Sequence, residues 1–533
     1  MIKTGLRQRG RRFFHYLDGY EKDKAKQRAG ASLLLAGMIL SGCGVKADDM
    51  YLKVSPSQPS SARNTAFEGW GTTLCWWANR LGYSDALSQL AAEAFCDPVN
   101  GLGLNILRYN IGGGDDPAHH HITRTDSMMP GFWANPQYQK GEYLWDYDWN
   151  QDTNQRNVLN KCLAVSGDGM IVEAFSNSPP WFMTESGCSS GAVNPGKDNL
   201  KADAYDAFAR YLADVAAHFA SAWGIRFQSI SPMNEPDTAY WGAFSNKQEG
   251  CHFDPGASQS RLLLALSEQL KARGLEDMLI SGTDETSIDT QIHSLKTLSP
   301  EALAVIGRVD THSYGGSRRK ELRDLARRYG KGLWMSEVDG GDVLGKNAGE
   351  MGAALWLAQR IADDLNGLSP SAWIMWQVID SHISQEGYLG RRDTGMVNVN
   401  GGYWGTAVAD HDRQELILTK KYYAFGQFTR YIRPGSSLLA MSGPAVAALD
   451  ENGKRLTVVV VNSEAAQRGL TLDVSSFQDT FPDGSPVRMI RTSGSMAEGE
   501  NWTELPAAAV RNGTIAVSLP AYSITTFLVD CPS

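Results

Sequence analysis

The sequence predicts an α/β fold, a (β/α)8 TIM barrel with a fused C-terminal antiparallel β-sandwich. Three observations carry that expectation. Short apolar runs and helical stretches alternate eight times between Gly69 and Val378, as a closed barrel of parallel strands requires. From Arg433 onward the texture changes to short strand-like runs punctuated by Gly, Ser, Asn and Pro, which fits a small antiparallel sandwich. Two glutamates, Glu235 and Glu337, each close one of the apolar runs. Barrels place their chemistry at the C-terminal ends of their strands.

The first 42 residues stand apart from the fold. They hold nine basic and three acidic residues, followed by the apolar run Ala29 to Leu40 and then Leu40-Ser41-Gly42-Cys43. That run is too short to span a bilayer as a helix. Leu-Ser-Gly-Cys resembles the lipobox of bacterial lipoproteins, which implies cleavage before Cys43 and lipidation of its sulfur; a plain secretory signal is the alternative. Arg11-Arg12-Phe13-Phe14 looks like a twin-arginine motif but lies far from the apolar run. The expected location is an exported, membrane-anchored lipoprotein facing the periplasm or the cell exterior. Removing the segment takes the formal charge from −9 to −15. An acidic surface argues against nucleic acid or an anionic membrane as partner, so any membrane contact is expected from the lipid alone.

At 533 residues the chain accommodates a barrel plus a smaller domain. The domains are expected at 43–65 (linker and a strand joining the sandwich), 66–432 (barrel) and 433–533 (sandwich). The barrel strands are expected at Gly69–Trp77, Asn105–Ile111, Met170–Ser176, Phe227–Pro232, Met278–Gly282, Val309–Ser313, Gly332–Ser336 and Ala372–Val378. Each is short, rich in Ile, Val, Met or Trp, and lacks clean alternation, as strands buried on both faces should. Among the helices, Leu200–Trp223 spaces Tyr205, Phe208, Leu212, Val215 and Phe219 by threes and fours, giving one apolar stripe. Further helices are read at Ser258–Arg273, Lys320–Tyr329, Glu350–Leu365 and Lys420–Ile432. The early Tyr51–Val54 strand is expected to join the sandwich and so tie the two ends of the chain together.

Six cysteines follow Cys43: Cys75, Cys96, Cys162, Cys188, Cys251 and Cys531, with no Cys-x-x-Cys pair. A Cys188–Cys251 bridge is one reading and buried free thiols the other.

Glu235 lies in Ile230-Ser231-Pro232-Met233-Asn234-Glu235-Pro236 and Glu337 in Leu333-Trp334-Met335-Ser336-Glu337-Val338-Asp339. Two carboxylates meeting at one barrel face are what glycosidic cleavage needs. One carries a proton for the leaving oxygen, and the other stabilises or attacks the sugar cation. A solvated loop glutamate is the bland alternative for each.

Phe67-Glu68-Gly69-Trp70-Gly71, Ile230–Pro236, Thr311-His312-Ser313-Tyr314 and Trp334–Asp339 resemble glycoside hydrolase family 30, from about Tyr51 to the C-terminus. The resemblance implies that Glu235 is the general acid/base and Glu337 the nucleophile of a retaining mechanism. Glu235 is then expected to rest protonated, its pKa raised by the neighbouring carboxylate, and Glu337 to stay ionised beside Arg108. Asn234 is expected to reach the sugar 2-hydroxyl, with a loop-capping amide as the alternative. Tyr314 could hydrogen-bond Glu337 and His312 could orient it, against a satisfied core histidine. Trp376, Trp70 and Trp181 could floor sugar subsites, or be core.

The run Ile111-Gly112-Gly113-Gly114-Asp115-Asp116-Pro117 with His119-His120-His121 reads as a wall of the sugar cleft. A metal is not expected there, because three adjacent histidines cannot all face one ion and no carboxylate has ligand spacing. Together with Phe67–Asn79 and Ser281-Gly282-Thr283-Asp284-Glu285-Thr286, this loop is similar to the branch of the family acting on β-1,6-linked galactan. That likeness implies Asp115 and Glu285 gripping galactose hydroxyls, an oligo- or polysaccharide partner, no cofactor, and a monomer. Sister activities (glucosylceramidase, β-1,6-glucanase, xylanase) and a non-catalytic sugar-binding lipoprotein are the alternatives.

Overall fold

The computed structural model describes residues 48–56, 66–124, 126–134, 138–139, 142–143, 145–340, 349–388, 391–395 and 404–532. Cys43, the signal-like segment and most of the linker lie outside the described residues. No described helix is long and apolar enough to cross a membrane.

Eight parallel strands close a barrel in chain order: Gly69–Thr73, Ile106–Asn110, Ile171–Phe175, Ser229–Ser231, Leu279–Ser287, Ile306–Gly315, Gly332–Glu337 and Ala372–Met375. The last pairs back onto the first, Trp373 opposite Trp70. All eight expected strands are present. Their residues are almost wholly buried because helices cover the outside and side chains fill the inside. The first strand ends at Thr73, since Trp77–Leu81 has turned into a helix. The helical stripe behaves as its spacing requires: Tyr205, Phe208, Leu212, Val215 and Phe219 are all buried on the helix Tyr205–Ala222. Several helices start at a hydroxyl that accepts a backbone N–H, as Ser84, Ser287 and Ser299 do, the last with Pro300 following.

After the eighth strand the chain makes an unexpected four-stranded sheet from Ile379–Tyr388, Arg391–Thr394, Ala407–Asp410 and Glu415–Leu418. Its first two strands carry Asp, Ser, His, Gln, Glu and Arg rather than an apolar run, so no buried-strand pattern announces them. The sandwich then follows. One sheet runs Ser437–Leu439, Ala445–Leu449, Arg455–Asn462, Ser523–Asp530, Pro486–Ser493, Glu500–Glu504, with Ala508–Ala509 beside Pro486–Ser493. The other contains Met50–Lys53, Arg468–Asp473 and Thr514–Leu519. The N-terminal strand therefore does join the sandwich, though it pairs parallel to Arg468–Asp473 in an otherwise antiparallel pattern.

The last helix, Lys420–Thr429, is the shared wall of barrel and sandwich. Lys420 Nζ donates to Ser493 O (2.9 Å) and Asn501 Oδ1 (2.7 Å). On its other side, Phe425 and Phe428 pack against Trp70 of the first barrel strand.

The barrel interior is charged where aliphatic layers are usual. Arg308, Asp310, His312 and Tyr314 alternate along the sixth strand. At the base, Arg308 ion-pairs with Glu173 and with Asp310 (2.6 Å). Above it, Arg108 bonds Glu173 (2.8 Å) and Asp284. Burial works to raise Glu173, but Arg308 and Arg108 outweigh it and hold the carboxyl below its ordinary value. Removing one member of such a buried network leaves its partners' charge uncompensated. Glu173→Gln, nearly the same shape, is therefore expected to lower unfolding free energy by about 3–5 kcal/mol, measured by urea denaturation. A loss of only a few tenths would mean that the network is not what holds the barrel interior.

Candidate active site

Glu235 follows the fourth strand, and Glu337 is the last residue of the seventh. One carboxylate oxygen from each, together with a ring nitrogen of His312, lie within 4.8 Å of one another. Glu235 is set by an unusual backbone: its φ is 49°, and its N–H donates to the carbonyl of Asp284 (2.8 Å), itself at φ 61°. Two non-glycine residues in the left-handed region cost of order 1–3 kcal/mol each and persist only where the surroundings impose them. Here they aim Glu235 and Asp284 at the same imidazole.

That imidazole organises the site. His312 is fully buried, with Nδ1 3.0 Å from Glu235 Oε1 and 3.4 Å from Glu337 Oε1, and Nε2 3.2 Å from Asp284 Oδ1. Burial opposes its charge, yet Glu337, Asp284 and the hydrogen bonds to Asp284 and Glu235 raise its pKa well above the ordinary value. Glu235 also accepts the Tyr240 hydroxyl on Oε2. Burial pushes Glu235 upward, but the hydrogen bond and charge of His312, with Tyr240, bring it below its ordinary value. Glu337 is pushed up to about 7 by burial, with Glu235 adding to the rise and His312 and Arg108 opposing it. The expected order, a protonated Glu235 beside an ionised Glu337, is thus reversed. Repulsion between the carboxylates was foreseen; the histidine's preference for Glu235 was not.

Arg108 Nη1 lies 3.7 Å from Glu337 Oε2 and donates to the Ser336 carbonyl (3.2 Å). The Tyr314 hydroxyl donates to Glu337 Oε1 (3.0 Å). Glu337 Oε2 accepts no hydrogen bond among the described residues, nor does the buried side-chain oxygen of Asn234. Trp376 follows the eighth strand, edge-on to Trp76 (5.0 Å), in a cluster that Trp404 joins. Trp404 in turn stacks on Tyr314 (5.7 Å, 23°).

Asp115 and Trp181 come together elsewhere. They line a cavity of about 760 Å³ with His119, Met129, Phe182 and Glu249, and neither Glu235 nor Glu337 lines it.

Two residues expected to meet sugar lie away from the catalytic pair. Trp70 points out of the barrel, its indole N–H on the Ile432 carbonyl (2.7 Å) and its ring sealed by Phe67, Trp373, Phe425 and Phe428. Glu285 is fully buried behind the fifth strand, held by Asp237 N (3.0 Å), Gln259 Nε2 (3.0 Å) and Ser294 Oγ (2.6 Å). Burial pushes it up to about 8. Its neighbour Asp284 takes the inward place, bonded to Arg108, His312 and Ser336 Oγ (2.6 Å).

Two further readings are decided. Cys188 and Cys251 are free, like the other four described cysteines. The Cys188 sulfur accepts the Phe244 N–H (3.3 Å), whereas that of Cys251 turns to the His252 carbonyl (3.6 Å), so the two do not meet. The histidine run also has a carboxylate neighbour after all, because Asp115 folds back onto His119 and His121.

Tyr240, Asp284 and Trp404 escaped the sequence reading. Tyr240 sits only five residues beyond Glu235, which is the signal that could have found it. Asp284 lay in a motif already singled out, but strand pairing slips between Thr283 and Glu285, so counting alternate residues misplaces it.

A buried pair of carboxylates bridged by a charged imidazole, one oxygen left free, suits acid catalysis joined to nucleophilic attack. Comparison with known proteins agrees. The family described as O-glycosyl hydrolase family 30 matches residues 79–293. An endo-beta-1,6-galactanase of Hypocrea rufa is 32% identical over 481 residues, covering 87% of this chain and 92% of that protein. An exo-beta-1,6-galactobiohydrolase of Bifidobacterium longum subsp. longum is 26% identical over 601 residues, 90% of this chain but 39% of that longer protein. The catalytic domain of a family 30 xylanase C from Talaromyces cellulolyticus shares the fold at 18% identity, TM-score 0.64, covering 90% of this chain and 99% of that one. With a relative matched at that identity across nearly its whole length, the chain belongs to glycoside hydrolase family 30 and is an O-glycosyl hydrolase acting on carbohydrate.

Proposed function

We propose that the enzyme hydrolyses β-1,6-galactosidic linkages in galactan or arabinogalactan side chains, with retention, through Glu235 as acid/base and Glu337 as nucleophile. Carboxylate oxygens within 4.8 Å carry the mechanistic reading. Retention works with carboxyl groups about 5–5.5 Å apart, whereas inversion needs about 6.5–9.5 Å to seat a water. The linkage rests on the galactanase relative, which the chain covers over 92% of its length.

In the first step Glu337 Oε2, free of hydrogen bonds and faced by Arg108, attacks the anomeric carbon as Glu235 protonates the departing oxygen. Water then enters, gives its proton to Glu235 and its oxygen to the anomeric carbon, and the Glu337 ester bond breaks. The acid must hold the proton when the sugar arrives, although the resting site favours Glu337. His312 Nδ1 touches both carboxylates and supplies the route. It passes its Nδ1 hydrogen to Glu235 and then takes the one on Glu337. Asn234, whose side-chain oxygen is unpartnered among the described residues, offers its amide to the 2-hydroxyl, and Trp376 and Trp404 supply aromatic faces beside the reacting sugar.

The active pair holds one proton, so kcat/KM is expected to be bell-shaped. Its alkaline limb should fall near the pH of about 7 set at Glu337, and its acid limb below the ordinary glutamate value of 4.5. His312 lowers both carboxyls, so His312→Gln should move both limbs to higher pH and reduce kcat. Limbs that stay in place in the variant would remove His312 from the proton's path.

The substrate is tested by product analysis with de-arabinosylated arabinogalactan, β-1,6-glucan and glucuronoxylan. Short β-1,6-galacto-oligosaccharides from the first alone are expected, reduced about 10²–10⁴-fold in Glu235→Gln and lost in Glu337→Gln. Release from another glycan alone would keep the chemistry and overturn the linkage. No release from any would overturn the linkage as well.

A further inference from the structure

We propose that Asp115, His119 and His121, in the loop after the second barrel strand, form a binding site for one divalent metal ion of the zinc class. His119 Nδ1 lies 3.2 Å from Asp115 Oδ1, and His121 Nδ1 lies 3.4 Å from Asp115 Oδ2. One donor atom from each of the three falls within 4.8 Å of the others. Zinc bonds of about 2.0–2.1 Å at tetrahedral angles put neighbouring donors about 3.3 Å apart, close to the two imidazole–carboxylate separations, which fall on the two different oxygens of Asp115.

A plain hydrogen-bonded triad explains less. Both ring nitrogens of His121 are sealed from solvent, and neither makes a hydrogen bond among the described residues. Its Nδ1 is near the carboxylate without the geometry of a hydrogen bond to it, an orphan of the kind that buried polar groups rarely leave. An ion between the rings and the carboxylate satisfies it. The donors are also held. Phe244 packs edge-on against both imidazoles (5.1 and 5.3 Å), and the Ser189 N–H donates to Asp115 Oδ1 (3.2 Å). Such outer contacts orient ligands in metal sites.

Two imidazoles and one carboxylate suit zinc and its transition-metal neighbours rather than calcium or magnesium, which take oxygen ligands. Three protein donors leave a position open, and Asp115 and His119 face the 760 Å³ cavity. Water or a sugar hydroxyl fits that position. Asp115 then meets carbohydrate through the ion instead of gripping it directly. The site is separate from Glu235 and Glu337 and does not depend on the linkage proposed above.

The test uses the whole chain purified without a polyhistidine tag, stripped with chelator and titrated with zinc chloride by calorimetry. One ion per chain is expected, with a raised unfolding temperature in the zinc-loaded protein. Both effects should vanish in His119→Asn/His121→Asn and persist in His120→Asn, whose ring is not among the donors. Circular dichroism checks that each variant is folded. The proposal is overturned if the wild-type chain takes up no zinc, or if the double variant binds it as the wild type does. Should the double variant not fold, Asp115→Asn, which keeps both rings, decides between the same outcomes.

Discussion

Three carboxylates share one buried imidazole, and the catalytic face depends on its charge. Two carboxylates with oxygens within 4.8 Å of each other repel by roughly 3 kcal/mol or more at an effective dielectric of 20, while an imidazolium about 3.2 Å from one attracts it by about 5 kcal/mol. His312 makes three such contacts, to Glu235, Glu337 and Asp284. Its attraction therefore outweighs the repulsion it bridges. Neutral, it would leave the carboxylates to separate or both take up protons. The closeness of the two glutamates, on which the proposed double displacement rests, thus follows from one residue that reacts with nothing in the net equation.

His312 is held in turn from below. Arg108 reaches Asp284, Glu173 and Glu337, and Arg308 joins Glu173 to Asp310 at the barrel's base. Charges alternate along this column, so each carboxylate meets a cation above or beside it. A column of this kind is costly to desolvate, and an aliphatic interior would serve stability as well. What it provides is position: side chains fixed by several directional bonds cannot drift as packed methyl groups can.

Much of this was legible in the sequence, for identifiable reasons. Strands buried on both faces must be apolar throughout, and all eight showed as short Ile-, Val-, Met- and Trp-rich runs. Glu235 and Glu337 were legible because each sits where such a run stops. The N-terminal strand showed as a short strand-like run, and it takes its expected place in the sandwich. What escaped depends on geometry that no periodicity records. Glu285 was chosen over Asp284 because a slip in strand pairing and a left-handed backbone reverse which neighbour faces inward. Trp70 was misread because a tryptophan between two glycines fits either face of a strand. The polar sheet after the eighth strand has no apolar run to betray it, and Asp115 meets its histidines only through the path of an irregular loop. The order of the two pKa values was missed for a related reason, as it depends on which carboxylate the histidine prefers.

Stereochemistry decides whether His312 holds the two glutamates close enough for the proposed double displacement. Proton NMR can follow the anomeric signal of the first product released from a β-linked galacto-oligosaccharide, before mutarotation. With both glutamates in these roles, the β-anomer appears first and the α-anomer grows in only by equilibration. An α-anomer appearing first would mean that water attacks directly, and would contradict the role given to Glu337.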